Sequence, residues 1–112
     1  MRIAIPLVEG KLSMHFGHCE EFAIIDVDDT GKNIISKDVL PSPPHEPGLL
    51  PRWLAEKGVN VVITGGMGPR AQELFNQNGI RVVLGAPANH PDLVVTEFLE
   101  DRLQIGENIC DH

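Results

Sequence analysis

The sequence predicts a mixed α/β fold in one domain, with a five-stranded sheet covered by helices. Three observations lead there. A short apolar run at the start is followed by two strand-like runs around a turn. From Leu49 onward helical and β-branched runs alternate, punctuated by glycine and proline. The chain has 112 residues and 42% hydrophobic content, enough for one domain with a real core. A hairpin followed by right-handed strand–helix–strand units gives a mixed sheet with helices packed on it, and five strands is the economical count.

Taken in order, Arg2 to Leu7 reads as a short buried strand, and Val8 to Glu20 as a loop. Glu21 to Asp28 is strand-like, with Phe22, Ile24 and Ile25 apolar. Asp28-Asp29-Thr30-Gly31 is a turn signal, so Lys32 to Leu40 completes a hairpin. Pro41, Pro43, Pro44 and Pro47 then forbid regular structure in a loop that carries His45. Leu49 to Lys57 has helical spacing, with Pro51 tolerated in the first turn and Gly58 as the stop. Val59 to Thr64 is a β-branched run apart from Asn60, the mark of a strand covered on both faces. Gly65 to Gly68 turns the chain into a helix over Pro69 to Asn78. Ile80 to Leu84 is another buried strand, and Pro91 to Arg102 a helix with Val94, Val95, Phe98 and Leu99 as its core stripe. One domain spans residues 1–112, and residues 103–112 form a tail that could carry ligands.

Charge narrows the function. Sixteen acidic against nine basic residues give a net charge of −7. That argues against nucleic acid, which needs a basic face, and disfavours an anionic membrane surface. Met1-Arg2 leads straight into a short apolar strand, so no secretory signal is expected, and no apolar run reaches transmembrane length. The chain reads as cytoplasmic, where its two cysteines stay thiols.

The chemistry concentrates in Ser13-Met14-His15-Phe16-Gly17-His18-Cys19. Two imidazoles and a thiol within five residues suit soft or borderline metals. Gly17 makes a sharp turn cheap, so ligands on this loop can converge. The spacing is no zinc signature, and His15 could equally cap a strand while Cys19 fills the core. Cys110-Asp111-His112 is a second soft group, either a frayed stub or a segment folding over a bound cluster. His45, held between prolines, is a further candidate ligand or an ordinary exposed histidine. The candidate metal set is therefore His15, His18, Cys19, His45, Cys110 and His112.

Gly65-Gly66-Met67-Gly68-Pro69-Arg70 joins a buried strand to a helix. Its glycines permit close backbone approach, the helix start offers free N–H groups, and Arg70 adds a charged fork for an anion. No acidic residue ends the following strand and no Gly-Lys-Ser/Thr follows, so neither a nicotinamide nor a P-loop fingerprint is present. A tight strand–helix turn is the alternative. Asp26, Asp28 and Asp29 are assigned to the hairpin rather than to a two-metal nuclease, which needs carboxylates from several elements.

Ser13-x-His15-Phe16-Gly17, Phe22-x-Ile24-x-Asp26, Gly65-Gly66-Met67-Gly68-x-Arg70-Ala71 and Gly79-Ile80-x-Val82 together resemble the dinitrogenase iron–molybdenum cofactor biosynthesis family, which includes NifX-like proteins and the C-terminal domain of NifB-like proteins. The resemblance implies a ribonuclease-H-like fold and nitrogenase-related binding of an iron–sulfur or molybdenum-containing cluster, without catalysis. It makes His15 the leading cluster ligand. It places Ser13, Phe16, Gly17, Gly65, Gly66, Met67, Gly68 and Arg70 around the cofactor. The expected role is a carrier or storage module in cofactor biosynthesis, passing cluster between donor and acceptor proteins. The rivals are a mononuclear zinc or copper(I) binder on the same donors, and a phosphate or nucleotide site at the Gly65–Arg70 turn.

Overall fold

Strand β1 (Arg2–Val8) organises the structure, a computed structural model that describes residues 1–28, 30–44, 46 and 48–106, with His18 described in its backbone alone. Side chains alternate across a strand. Ile3, Ile5 and Leu7 enter one core and Ala4 the other, each at most 3% exposed. A strand buried on both faces belongs in the middle of a sheet. β1 indeed pairs antiparallel with β3 (Glu21–Val27) on one edge and parallel with β5 (Val61–Ile63) on the other. The spatial order is β4-β3-β1-β5-β6, with β4 at Ile34–Pro41 and β6 at Arg81–Val83.

The sheet has six strands rather than the expected five. The extra one, β2 (Lys11–Leu12), lies inside the segment read as loop. Two residues are too few to leave a periodic signal. β2 pairs with Leu7 and Val8, the end of β1 that β5 has already left, since β5 pairs only at Ile3 and Ala4. The chain leaving β2 therefore runs beside the chain leaving β5, which sets up the site. Pro41 closes β4 in register with Glu21, contrary to the expectation that it breaks structure. β4 is an edge strand, where a missing N–H costs no ladder bond.

Three helices cover the sheet. α1 (Leu49–Glu56) and α2 (Pro69–Gln77) pack on one face, with Phe22, Leu54, Val62, Phe75 and Ile80 between. α3 (Pro91–Leu99) covers the other through Val94 and Val95 on Ile3, Ile5, Ile25 and Ile63. α3 stops three residues short of the expected Arg102, because the chain turns at Asp101, φ 57°. Phe22 and Phe75 are fully buried, each contributing roughly 1.5–3 kcal/mol by burial. The Cα radius of gyration, 12.6 Å, fits a single domain of this length.

Candidate functional site

The His15 loop is anchored before it reaches the surface. The Ser13 N–H donates to the Pro6 carbonyl at 2.7 Å, continuing the β1–β2 hairpin. The Ser13 carbonyl accepts from the Gly65 N–H and the Thr64 hydroxyl, each at 3.2 Å. The buried Ser13 hydroxyl donates to the His15 carbonyl at 2.7 Å. Phe16 then plunges into the core. Its N–H donates to the Gly66 carbonyl at 3.0 Å, and its ring meets Phe75 edge-on at 5.2 Å and Phe22 at 5.8 Å. With Phe16 fixed, a single 3-10 turn (Phe16–His18) follows and His15 stays exposed.

His15 stands at the rim of a cavity of about 360 Å3. This falls within the range of small-ligand sites. The floor is apolar: Phe16, Leu50, Pro51, Met67 and Phe75 are buried, and Ala71 and Leu74 half-buried. The rim is polar: His15, Gly17, Glu46, Gly48 and Arg70 are exposed. Gly68 is the N-cap of α2 and also lines the cavity. It offers no side-chain cap, and Pro69 occupies the first helical turn. The positive end of the helix dipole thus faces the cavity beside Arg70. The arrangement can hold a compact anionic body whose surface is soft or apolar.

The other expected site residues fall into three groups. Ser13, Gly65 and Gly66 stand behind the wall and position it. A Cβ on Gly65 would lie 2.7 Å from the Met14 Cα, so this glycine is required by its neighbour in the chain fold. Cys19 is not among the cavity residues. It is half-buried against the α1–α2 core, with Sγ 4.0 Å from the Ser42 hydroxyl, and burial pushes its thiol pKa up. The His18 side chain, His45, Cys110 and His112 lie outside the described residues. Among the described residues no three His, Cys, Asp or Glu side chains gather as a metal would require.

Sequence reasoning missed Glu46, Gly48, Leu50, Pro51, Ala71, Leu74 and Phe75 as cavity residues, and Thr64 as an anchor. All but Glu46 and Gly48 read as ordinary helix or strand positions, and those two sit in the proline-rich loop beside the more conspicuous His45. A threonine ending an otherwise aliphatic strand was the one signal available for Thr64.

Comparison with known proteins gives a consistent result. Residues 1–101 match the family model described as dinitrogenase iron-molybdenum cofactor. Protein MJ0580 of Methanocaldococcus jannaschii is 34% identical over 109 residues, 93% of this chain and 90% of that one. The crystal structure of PH0822 superposes with a TM-score of 0.85 at 35% identity, covering 94% of both chains. The apo form of the orange protein from Desulfovibrio gigas superposes at 0.71 with 23% identity, covering 96% and 93%, a likeness of fold alone.

Proposed function

The chain belongs to the dinitrogenase iron-molybdenum cofactor family, and from that membership we propose that it carries an iron–sulfur or molybdenum-containing cluster without transforming it. The observation that carries this reading is the cavity itself. His15 and Arg70 stand on the rim of an apolar-floored cavity that Gly68, at the start of α2, also lines.

The donor chemistry fits such a cargo. A sulfide-rich cluster has a soft, polarisable surface that suits the Met67 thioether and the Phe16 and Phe75 rings. Its negative charge suits Arg70 and the helix dipole. His15 supplies one imidazole donor. An open grip built from few ligands, charge and shape releases its cargo more readily than a closed four-ligand site, as transfer between donor and acceptor proteins in the cytoplasm demands. A resident mononuclear zinc site would need a fuller donor set than the described residues bring together. The strand order, with an antiparallel β4-β3-β1 half and a parallel β1-β5-β6 half, supports the ribonuclease-H-like assignment.

Anaerobic purification followed by elemental analysis tests the proposal. Iron with acid-labile sulfide, or molybdenum, is expected, with uptake falling severalfold in His15→Ala at unchanged melting temperature. Stoichiometric zinc or copper alone, or equal cluster loading in His15→Ala, would overturn it.

A further inference from the structure

Strand β4 is the bare margin of the sheet. It runs for eight residues, every one exposed except the half-buried Leu40, with Ile35 at 67% and Val39 at 45%. It ends the order β4-β3-β1-β5-β6, so among the described residues no strand pairs along its outer side. The register shows which backbone groups lie there. The Ser42 N–H donates to the Glu20 carbonyl at 3.0 Å, one step beyond the Glu21–Pro41 pair. Inward and outward bonding alternate along an antiparallel strand. Asp38 and Leu40 therefore bond toward β3, while Lys37, Val39 and Pro41 turn their backbone groups outward. The register shift between Asp26 and Val27 interrupts the ladder near Ile35 and leaves residues 37–41 as the regular stretch.

Lysine and proline on an edge strand ordinarily discourage pairing. Here neither closes the edge. Lys37 is paired with Asp92 at the start of α3, Nζ to Oδ1 at 3.0 Å. Pro41 lacks an N–H, but its outward carbonyl is an acceptor. Val39, between them, adds exposed apolar surface. It lies opposite Ala23 of the α3-side core, so its side chain stands on that side of the sheet, where it lines a groove with Lys37, Pro91 and Asp92.

We propose that β4 pairs antiparallel with β4 of a second copy of this chain, about a two-fold axis normal to the sheet at Val39. Such an axis opposes residues symmetrically about one position. Centred on Lys37, it would set two ammonium groups against each other; centred on Asp38, two carboxylates. Like charges directly opposite are unfavourable. Centred on Val39, it sets valine against valine and brings the Lys37 N–H to the Pro41 carbonyl of the second copy. Every outward N–H of residues 37–41 then finds an acceptor, and the N–H that Pro41 lacks falls at the end of the paired stretch. This self-complementarity is what selects a second copy as the occupant. None of residues 37–41 lines the His15 cavity, so the pairing stands apart from the carrier reading.

Sedimentation equilibrium of the full chain tests this, in high salt to screen the charge of −7 on each copy. A single strand edge is a small contact, so a weak, concentration-dependent dimer is expected. Val39→Asp opposes two carboxylates at the axis and should raise the dissociation constant about tenfold or more, with an unchanged melting temperature. A short bismaleimide crosslinker reads the register in a Cys19→Ser, Cys110→Ser background. Val39→Cys should couple two copies severalfold faster than Ile35→Cys, whose two positions would stand about eight residues apart along the paired strands, roughly 26 Å. A chain that is monomeric at every concentration, a dimer that Val39→Asp leaves unchanged, or equal coupling at the two positions would overturn the pairing. If Val39→Asp does not fold, the crosslinking comparison decides.

Discussion

The buried hydroxyl of Thr64 donates to the carbonyl oxygen of Ser13 at 3.2 Å, joining the end of β5 to the residue two positions before His15. The Gly65 N–H shares that oxygen. Both acceptor sites of one carbonyl are thus used to aim the loop. Thr64→Val keeps the shape and removes the donor. We expect a loss of about 1 kcal/mol and faster hydrogen exchange at the Phe16 amide. Unchanged exchange at Phe16 would mean that the loop is held by its aromatic anchor alone.

Gly65→Ala tests the reading of the glycine turn as architecture. The added Cβ would press on Met14 backbone, 2.7 Å from Cα and 3.0 Å from the carbonyl oxygen, and backbone cannot swing aside as a side-chain tip can. A destabilisation of about 1–3 kcal/mol is expected, read as a lower melting temperature. A variant as stable as the parent would show that the turn has room for a ligand there.

Arg70 carries charge at the rim and is exposed, so its removal should spare the fold. Arg70→Ala is expected to weaken cluster uptake and flatten its salt dependence, with stability changed by less than about 0.5 kcal/mol. Arg70→Lys should recover part of the uptake, since it keeps charge but loses the planar fork. Equal uptake in all three proteins would remove electrostatics from the account.

Two groups set opposite pH dependences. Asp28 accepts from the Asn33 side chain, the Thr30 hydroxyl and the Lys32 and Asn33 N–H groups, which hold its carboxyl well below the usual carboxylate range. Its folded form binds a proton more weakly than the unfolded chain. The turn's contribution is therefore present above the unfolded value of about 3.9 and is lost as pH falls through the folded one. Asp28→Asn should flatten the acid limb of a plot of melting temperature against pH. Cys19 behaves inversely: burial raises its thiol, so its contribution is present below the unfolded value of about 8.5 and is lost as pH rises through the folded one. In a Cys110→Ser background, iodoacetamide at pH 8 should label folded protein more slowly than unfolded protein; equal rates would contradict the burial.

Several features were legible because their cause is local. The hairpin shows in Asp28 and Gly31, and the helices in apolar spacing closed by Gly58 and Gly79, both at positive φ. β2 was not legible, since a two-residue strand exists only through its partner Leu7-Val8. Nor was the placement of Cys19, whose neighbours His15 and Phe16 suggested a shared pocket. The turn over Phe16–His18 carries it instead toward Ser42.

Residue order alone determined the layered α/β class, the family and the prominence of His15, Met67 and Arg70, because periodicity, punctuation and short motifs depend on near neighbours along the chain. Tertiary structure decided that Gly65 makes room for Met14, that the Gly66 carbonyl receives the Phe16 N–H, and that Leu50 and Pro51 of α1 floor the cavity. Those contacts join segments tens of residues apart, and distance along the sequence carries no record of which backbones the sheet will bring side by side.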